Sequence, residues 1–221
     1  MHTHEQDDLK RIYAQRFSSQ LEYRNRVWSI LVDTYFTQYI PKNAAVLDLG
    51  CGYGEFINHV EAALKYGMDL NPDSSARLNP EVNFLFQDCS LHWQIPDHTL
   101  DIVFTSNFFE HLPDKSALGK TLDEARRCLK PGGRIIAMGP NIKFLPGAYW
   151  DFWDHHLALT ELSLREALEN RGFTSDLCID RFLPYTMANK KPVPEFLIKT
   201  YLAVRPAWRL LGKQFLVIAR S

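Results

Sequence analysis

A glycine-rich turn follows the first apolar run of the chain, in the stretch VLDLGCGYGEF over residues 46–56. Glycines let the backbone turn sharply and approach a ligand closely, and a helix that starts beside them offers amide donors. Gly50, Gly52 and Gly54 run G-x-G-x-G, whereas a dinucleotide-binding turn runs G-x-G-x-x-G and needs glycine where this chain has Glu55. Because a glutamate there repels a pyrophosphate, the turn predicts a cofactor without phosphates, with a nicotinamide cofactor as the alternative.

Acidic residues lie at the ends of this run and of the next two. Asp69 ends the run KYGMDL, where a carboxylate can accept hydrogen bonds from both hydroxyls of a ribose. Asp88 follows the run VNFLFQ, and because a carboxylate only accepts hydrogen bonds it can bind the amino group of adenine. Each acid taken alone could instead be a helix cap or a solvated strand end. With Asp48, however, three successive strand ends carry an acid, which favours a binding site.

Three histidines follow the fourth and fifth apolar runs. His111 lies in NFFEHL, and His155 and His156 end the aromatic and acidic segment YWDFWDHH. Removing a proton from a hydroxyl nucleophile needs a base with a pKa near the working pH, which favours histidine. We expect His111 to be the base and His155 or His156 to assist, although each could be a structural histidine. We expect no metal site, because the acids and histidines of 149–156 are local in sequence.

Short apolar runs would place these residues along one edge of a sheet. Five runs alternate with helical patterns, at 44–49, 65–70, 82–87, 100–106 and 133–139. Two more strand-like segments follow, at 173–179 and 213–219. Strands that are apolar on both faces and alternate with helices indicate a parallel sheet between helices. Ligands of such sheets bind outside the carboxyl ends of the strands.

The helices around this sheet are predicted from apolar spacing and from their end signals. They are one broken helix or two short ones between Leu9 and Tyr39; a helix with Phe56, Val60 and Leu64 on one face; a helix with Leu118, Leu122, Ala125 and Leu129, which Pro131-Gly132-Gly133 ends; and a helix that a capping box of Ser163 and Glu166 opens and Gly172 ends.

Five motifs taken together resemble those of class I S-adenosylmethionine-dependent methyltransferases, in order and spacing, over residues 44–141. They are VLDLGCGYGEF, the acid in GMDLNP, QDCS, DIVFTSNFFEHLPD and LKPGGRIIAMGPN. The resemblance implies an α/β, Rossmann-like fold with a mostly parallel seven-stranded sheet. The implied strand order is 3-2-1-4-5-7-6, with strand 7 antiparallel and helices on both faces. It implies S-adenosylmethionine as the cofactor and S-adenosylhomocysteine as the product.

The resemblance also implies a set of cofactor-binding residues. The methionine end would be held by Asp48, by the backbone of Gly50, Cys51 and Gly52, and by Asn107, which would accept from the ammonium. Asp69 would bind the ribose hydroxyls, and Phe108 would face the sulfonium. Leu70 would pack on the adenine, and Asp88, beside Cys89, would bind the adenine amino group. No D/N-P-P-Y/F sequence appears, which disfavours methylation of nucleic-acid bases. The segment WDHH with the following ALT resembles methyltransferases of sugar and natural-product pathways.

The end of the chain is basic. Residues 181–221 carry eight Lys and Arg against one acid, a formal charge of +7 that leaves −8 for residues 1–180. Its aromatic insertion, residues 181–212, could bind a phosphate-bearing acceptor or an anionic membrane, pack against the acidic core, or make a homodimer contact. We expect packing or a homodimer contact in preference to a membrane contact.

Composition places the chain among ordinary globular proteins, with 46% hydrophobic residues and a net charge of −1. We expect one cytoplasmic domain that does not bind nucleic acid, made of an N-terminal helical cover (1–40), a cofactor-binding core (41–141), a substrate-side loop and helix (142–180) and the basic insertion (181–212). The expected function is methyl transfer to an oxygen or nitrogen of a small molecule, sugar- and phosphate-linked acceptors included. The alternatives are a nicotinamide-dependent oxidoreductase and a non-catalytic subunit that binds S-adenosylmethionine.

Overall fold

A computed structural model of the chain describes residues 21–185 and 192–221. Seven strands form one sheet: β1 (Ala45–Leu49), β2 (Leu64–Asp69), β3 (Val82–Phe86), β4 (Leu100–Ser106), β5 (Leu129–Pro140), β6 (Thr174–Ile179) and β7 (Gln214–Arg220). The strand order is 3-2-1-4-5-7-6. Strands β1 to β5 are parallel, and β7 is antiparallel to both of its neighbours. The predicted fold and the seven predicted strands are confirmed.

The strands alternate their side chains between two buried layers, as the two-residue period of a strand requires. In β1, Leu47 and Leu49 face one layer and Val46 faces the other. All five β1 residues are buried, as expected of a parallel strand that is covered on both faces. This central position places the turn after β1 at the middle of the carboxyl edge of the sheet.

Five α-helices are described, and they cover both faces of the sheet. They are α1 (Leu21–Thr34), α2 (Lys115–Cys128), α3 (Glu161–Glu169), α4 (Glu195–Ala203) and α5 (Arg205–Leu211). The buried residues of α2 and α3 join one core layer, whereas those of α1, α4 and α5 join the other. The prediction of helices on both faces is therefore confirmed.

The predicted helix after β1 is wrong. Residues 52–59 form hydrogen-bonded turns, and Leu64 is the first residue of β2. Phe56 and Val60 are buried as predicted, but the Asn58 side chain donates to Arg77 O at 2.9 Å and accepts from the backbone N of Asn79 at 2.8 Å. Such bonds between a polar side chain and a neighbouring backbone segment compete with helix formation.

Three other helix boundaries differ from prediction. Helix α2 ends at Cys128, so Leu129 and Pro131-Gly132-Gly133, predicted as its last turn and its stop, lie in β5 instead. The capping box of α3 joins Thr160 and Ser163, so Ser163 is the third helical residue and not the cap. At the N-terminus of the chain, the predicted helical region contains α1 and a short 3-10 helix, Phe36–Tyr39; residues 9–20 lie outside the described part. Gly172 has a φ of +80°, as predicted for a helix stop.

None of the described helices is long and apolar enough to cross a membrane.

Candidate functional site at the carboxyl edge of the sheet

The glycine turn after β1 is held against the loop that follows β4. Gly50 has a φ of +72°, and a Cβ atom added there would lie 2.3 Å from Cγ of Phe108. Only glycine combines this left-handed backbone with so close a contact. The backbone N of both Gly50 and Cys51 donates to Met68 O at the end of β2. The turn is therefore fixed by three strand ends at once.

The carboxylate of Asp69 closes the turn from the side of β2. Its Oδ2 accepts from the backbone N of Gly52 and its Oδ1 from that of Asn71, both at 2.8 Å. Burial raises the pKa of the carboxyl, while the backbone donors and the nearby charge of His111 act in the opposite direction. Each carboxylate oxygen has a second lone pair, so Asp69 can accept further hydrogen bonds from a ligand.

Asp48 lies beneath the same turn and is 3% exposed. Its pKa is raised well above the usual value by burial first and by the charge of Glu55 second, while a backbone bond from Ile57 lowers it. Glu55 itself forms an ion pair of 2.8 Å with Arg24 of α1. The sequence argument that Glu55 repels a pyrophosphate is therefore weakened, because Arg24 compensates its charge and the predicted helix does not start there.

The third acid lies at the end of β3. Asp88 is half-buried, and its Oδ1 accepts from the backbone N and the hydroxyl of Ser90, both at 2.8 Å. Cys89 is buried and accepts from Thr121 Oγ1, and burial raises the pKa of its thiol to about 12. Leu70 is half-buried beyond Asp69. We call Asp48, Asp69 and Asp88 the acidic edge.

Asn107 occupies a strained position at the end of β4. Its φ is +50°, a left-handed conformation that asparagine adopts more readily than most residues with a side chain and that is often found at functional sites. The side chain is exposed, and its amide donates to Ser106 Oγ at 3.0 Å. Its backbone N donates to Met138 O of β5. The predicted cofactor-binding residues thus lie on adjoining strand ends and turns.

His111 meets the segment after β5. Its Nδ1 lies 2.9 Å from the backbone O of Asp154 and 3.2 Å from Oδ2 of the same residue. Because a carbonyl oxygen only accepts, Nδ1 carries the hydrogen in the neutral ring and Nε2 has the lone pair. Burial lowers the pKa of His111, but the bond to Asp154 and the charge of Glu110 outweigh it, so the pKa is raised.

Glu110 and His155 complete this group, which we call the histidine cluster: Glu110, His111, Asp154 and His155. Glu110 is 4% exposed, and burial raises its pKa to about 7. The His155 ring lies 5.0 Å from that of His111 and stacks on Phe152. Donor atoms of Glu110, His111 and His155 lie within 4.8 Å of one another, so they could hold a metal ion.

The third predicted catalytic residue lies outside this cluster. The side chain of His156 is exposed, and only its backbone N takes part, by donating to Glu110 O at 2.8 Å. The sequence analysis did not select Glu110, and its position next to His111 in NFFEHL is the one sequence signal for it. Trp153, in the same segment, is 91% exposed and presents an aromatic surface beside the cluster.

A family model for the methyltransferase domain matches residues 20–176. The chain belongs to this methyltransferase family. A probable methyltransferase from Aspergillus luteorubrus is 28% identical over 59% of the chain and 52% of its own length. The 2-methyl-6-phytyl-1,4-hydroquinone methyltransferase of Synechocystis is 27% identical over 60% of the chain and 47% of its own length. The chain thus spans about half the length of these curated relatives.

Solved structures agree on the fold. A methyltransferase from Archaeoglobus fulgidus that depends on S-adenosylmethionine has a TM-score of 0.65 and 24% identity, covering 90% of this chain and 94% of its own. Family and fold together indicate S-adenosylmethionine as the cofactor of this methyltransferase domain. The oxidoreductase alternative is therefore not retained.

The residues present fit this cofactor. The acidic edge offers hydrogen-bond acceptors to ribose hydroxyls and to an adenine amino group, which are donors. The carboxylate of Asp69, which accepts from two backbone N atoms, suits a cofactor that carries a sulfonium and an ammonium and no phosphate.

Proposed function

We propose that the chain transfers a methyl group from S-adenosylmethionine to a hydroxyl oxygen, or to a nitrogen, of a small-molecule acceptor. Asp69 would bind the ribose, Asp88 the adenine amino group, and Asn107 the methionine ammonium. The observation that carries the proposal is the pairing of His111 with Asp154, in the same loop after β4 whose Phe108 packs against the glycine turn. It puts a candidate base at the border of the acidic edge, where an acceptor would meet the cofactor.

The bound cofactor supplies an electrophilic methyl group on a sulfonium. Nε2 of neutral His111 takes the proton of the acceptor hydroxyl, because Nδ1 is committed to Asp154. The Asp154 carboxylate then stabilises the imidazolium that forms. The aromatic segment around Trp153 positions the acceptor and limits access of water. Positioning of this kind contributes about 7 to 11 kcal/mol to a two-substrate reaction.

The acceptor is proposed to be sugar-linked or phosphate-linked. The exposed Trp153 supports a carbohydrate ring, since a flat aromatic side chain can stack on its apolar face. Arg181 supports a phosphate, because its guanidinium lies 3.8 Å from the ring centroid of Phe144, in the segment that follows β5.

The test is the pH profile of His111 and Asp154 variants. We expect His111→Gln to lower kcat by about 10²- to 10⁴-fold while the affinity for S-adenosylhomocysteine is kept. Since Asp154 raises the pKa of His111, Asp154→Asn should move the acid limb of the kcat profile to lower pH. His92→Gln, a surface histidine that is 76% exposed, is the control and should leave kcat unchanged.

Three results would contradict this assignment. A large loss of kcat in His156→Gln with an active His111→Gln would move the base to His156. Activity that is lost with EDTA and restored by a divalent cation would assign Glu110, His111 and His155 to a metal site. Tight cofactor binding without product from any sugar or phosphate ester would support a non-catalytic subunit.

A further inference from the structure

Helices α4 and α5 are apolar on two faces. Their inner face is packed: Leu202 and Trp208 are buried, and Trp208 Nε1 donates to Tyr201 O at 2.8 Å. Their outer face is exposed and still apolar, with Phe196 67%, Leu197 45%, Val204 45%, Leu210 81% and Leu211 58% exposed. A surface helix normally keeps polar residues on its outer face. The inner face alone accounts for packing, so the outer face needs another explanation.

Basic residues surround these exposed apolar side chains. Lys199, Arg205, Arg209 and Lys213 lie within or beside the two helices, and all are exposed. Within residues 21–185 and 192–221, none of the four makes an ion pair. Glu195 is the one acid of residues 192–213. The surface therefore combines apolar side chains with uncompensated positive charge.

We propose that α4 and α5 form a docking surface for an anionic lipid bilayer. Apolar side chains on a helix that lies along the interface insert among the acyl chains, while Lys and Arg contact the head groups. The charge favours this occupant over a second copy of the chain, because two copies would bring the four cations of each face together. At nine and seven residues, neither α4 nor α5 is long enough to cross a bilayer.

The surface adjoins the edge that carries the candidate site. Lys213 O, just after α5, accepts from the backbone N of Asn141, which follows β5. Arg181 connects the two regions as well, since its guanidinium lies 3.8 Å from the ring centroid of Phe144 and donates to Arg209 O at 2.5 Å. The two helices are therefore joined to the segment that follows β5.

Vesicle flotation with the full chain tests the charges. We expect binding to vesicles of phosphatidylcholine and phosphatidylglycerol, little binding to phosphatidylcholine alone, and release by high salt. Each Lys or Arg near an anionic surface strengthens binding by about fivefold. Lys199→Gln with Arg209→Gln should thus weaken partitioning by about 25-fold. The matched control, Lys115→Gln with Lys120→Gln, removes two exposed lysines of α2 and should bind as the wild type does.

A second pair of variants tests the apolar contacts. Leu210→Ser with Leu211→Ser should weaken binding by about tenfold or more, whereas Leu91→Ser, at a site 60% exposed and far along the chain, should not. All variants alter exposed side chains, and thermal unfolding checks that each is folded. These measurements need no acceptor, so they succeed or fail independently of the proposed reaction.

Two outcomes would overturn the proposal. One is wild-type protein that does not float with the anionic vesicles, or that floats equally well when Leu210 and Leu211 are serine. The other is a stable dimer in light scattering that Leu210→Ser with Leu211→Ser dissociates in the absence of vesicle binding. That result would assign the surface to a second copy of the chain.

Discussion

At the acidic edge, functional groups are held by backbone donors around a short turn, whereas in the histidine cluster they are held by contacts between two segments that are distant in the sequence. Asp69 accepts from the backbone N of Gly52, seventeen residues away. His111 meets Asp154 across 43 residues. The first arrangement therefore depends on glycine geometry and the second on how two loops pack. Substitutions at the acidic edge should therefore change mainly folding stability and cofactor affinity. Substitutions in the histidine cluster should change mainly ionisation and proton transfer.

Gly50→Ala should have the largest effect on the acidic edge. We expect the free energy of unfolding to fall by about 2 to 5 kcal/mol, because alanine adds a left-handed strain and a contact with Phe108. Urea unfolding measures it. Gly132→Ala is the matched control: its φ is +78° but no atom lies within 4 Å of the added Cβ, so only the strain should appear. Equal losses in both variants would mean that Phe108 does not fix the turn.

Asp69→Ala should weaken binding of S-adenosylhomocysteine by about 1 to 3 kcal/mol, through loss of a charged acceptor. Calorimetric titration measures this change. Asp114→Ala is the control, because Asp114 also accepts a backbone bond, at the start of α2, and its loss should lower stability without changing affinity. Unchanged affinity in Asp69→Ala would refute the ribose assignment.

Glu110 should make stability depend on pH. Its pKa is about 7 when folded against an ordinary value of 4.5, so between these values the folded state keeps a proton that the unfolded chain has lost. The free energy of unfolding therefore falls as pH rises through this window. Glu110→Gln should gain stability over wild type by about 1 kcal/mol for each pH unit there.

The control variant should show the opposite dependence of stability on pH. Arg127 and the backbone of Trp93 lower the pKa of Glu124 despite its partial burial, so that carboxylate stabilises the fold once it is ionised. Glu124→Gln should lose stability relative to wild type as pH rises. A parallel response of the two variants in denaturant titrations would show that Glu110 is not held protonated by burial.

Trp153→Ala should have the smallest effect. The side chain is 91% exposed, so stability should change by less than about 0.5 kcal/mol. Loss of stacking on an acceptor should raise KM by about two- to tenfold with kcat kept. Steady-state kinetics measure both constants. An unchanged KM would remove this residue from the acceptor site.

The strands of the sheet could be predicted from the sequence, because each strand is a short apolar run that is recognisable without its neighbours. Runs of buried residues such as 44–49 and 213–219, separated by turns and helical spacing, predicted all seven strands. The turns after Gly54 could not be predicted from local spacing. Their backbone conformation depends on hydrogen bonds between the Asn58 side chain and the backbone of Arg77 and Asn79. The N-cap of α3 was misplaced for a local reason, since Thr160 and Ser163 are both good caps.

For the site, the sequence by itself determined the residue types at each strand end: glycines at 50, 52 and 54, acids at 69 and 88, and histidine at 111. These follow from spacing, because parallel strands bring their carboxyl ends to one edge. Only the tertiary structure decided that Glu55 is compensated by Arg24, that His155 and not His156 joins His111, and that Glu110 is buried beside them. Those outcomes depend on which side chains two loops bury against each other, and no local pattern along the chain encodes that choice.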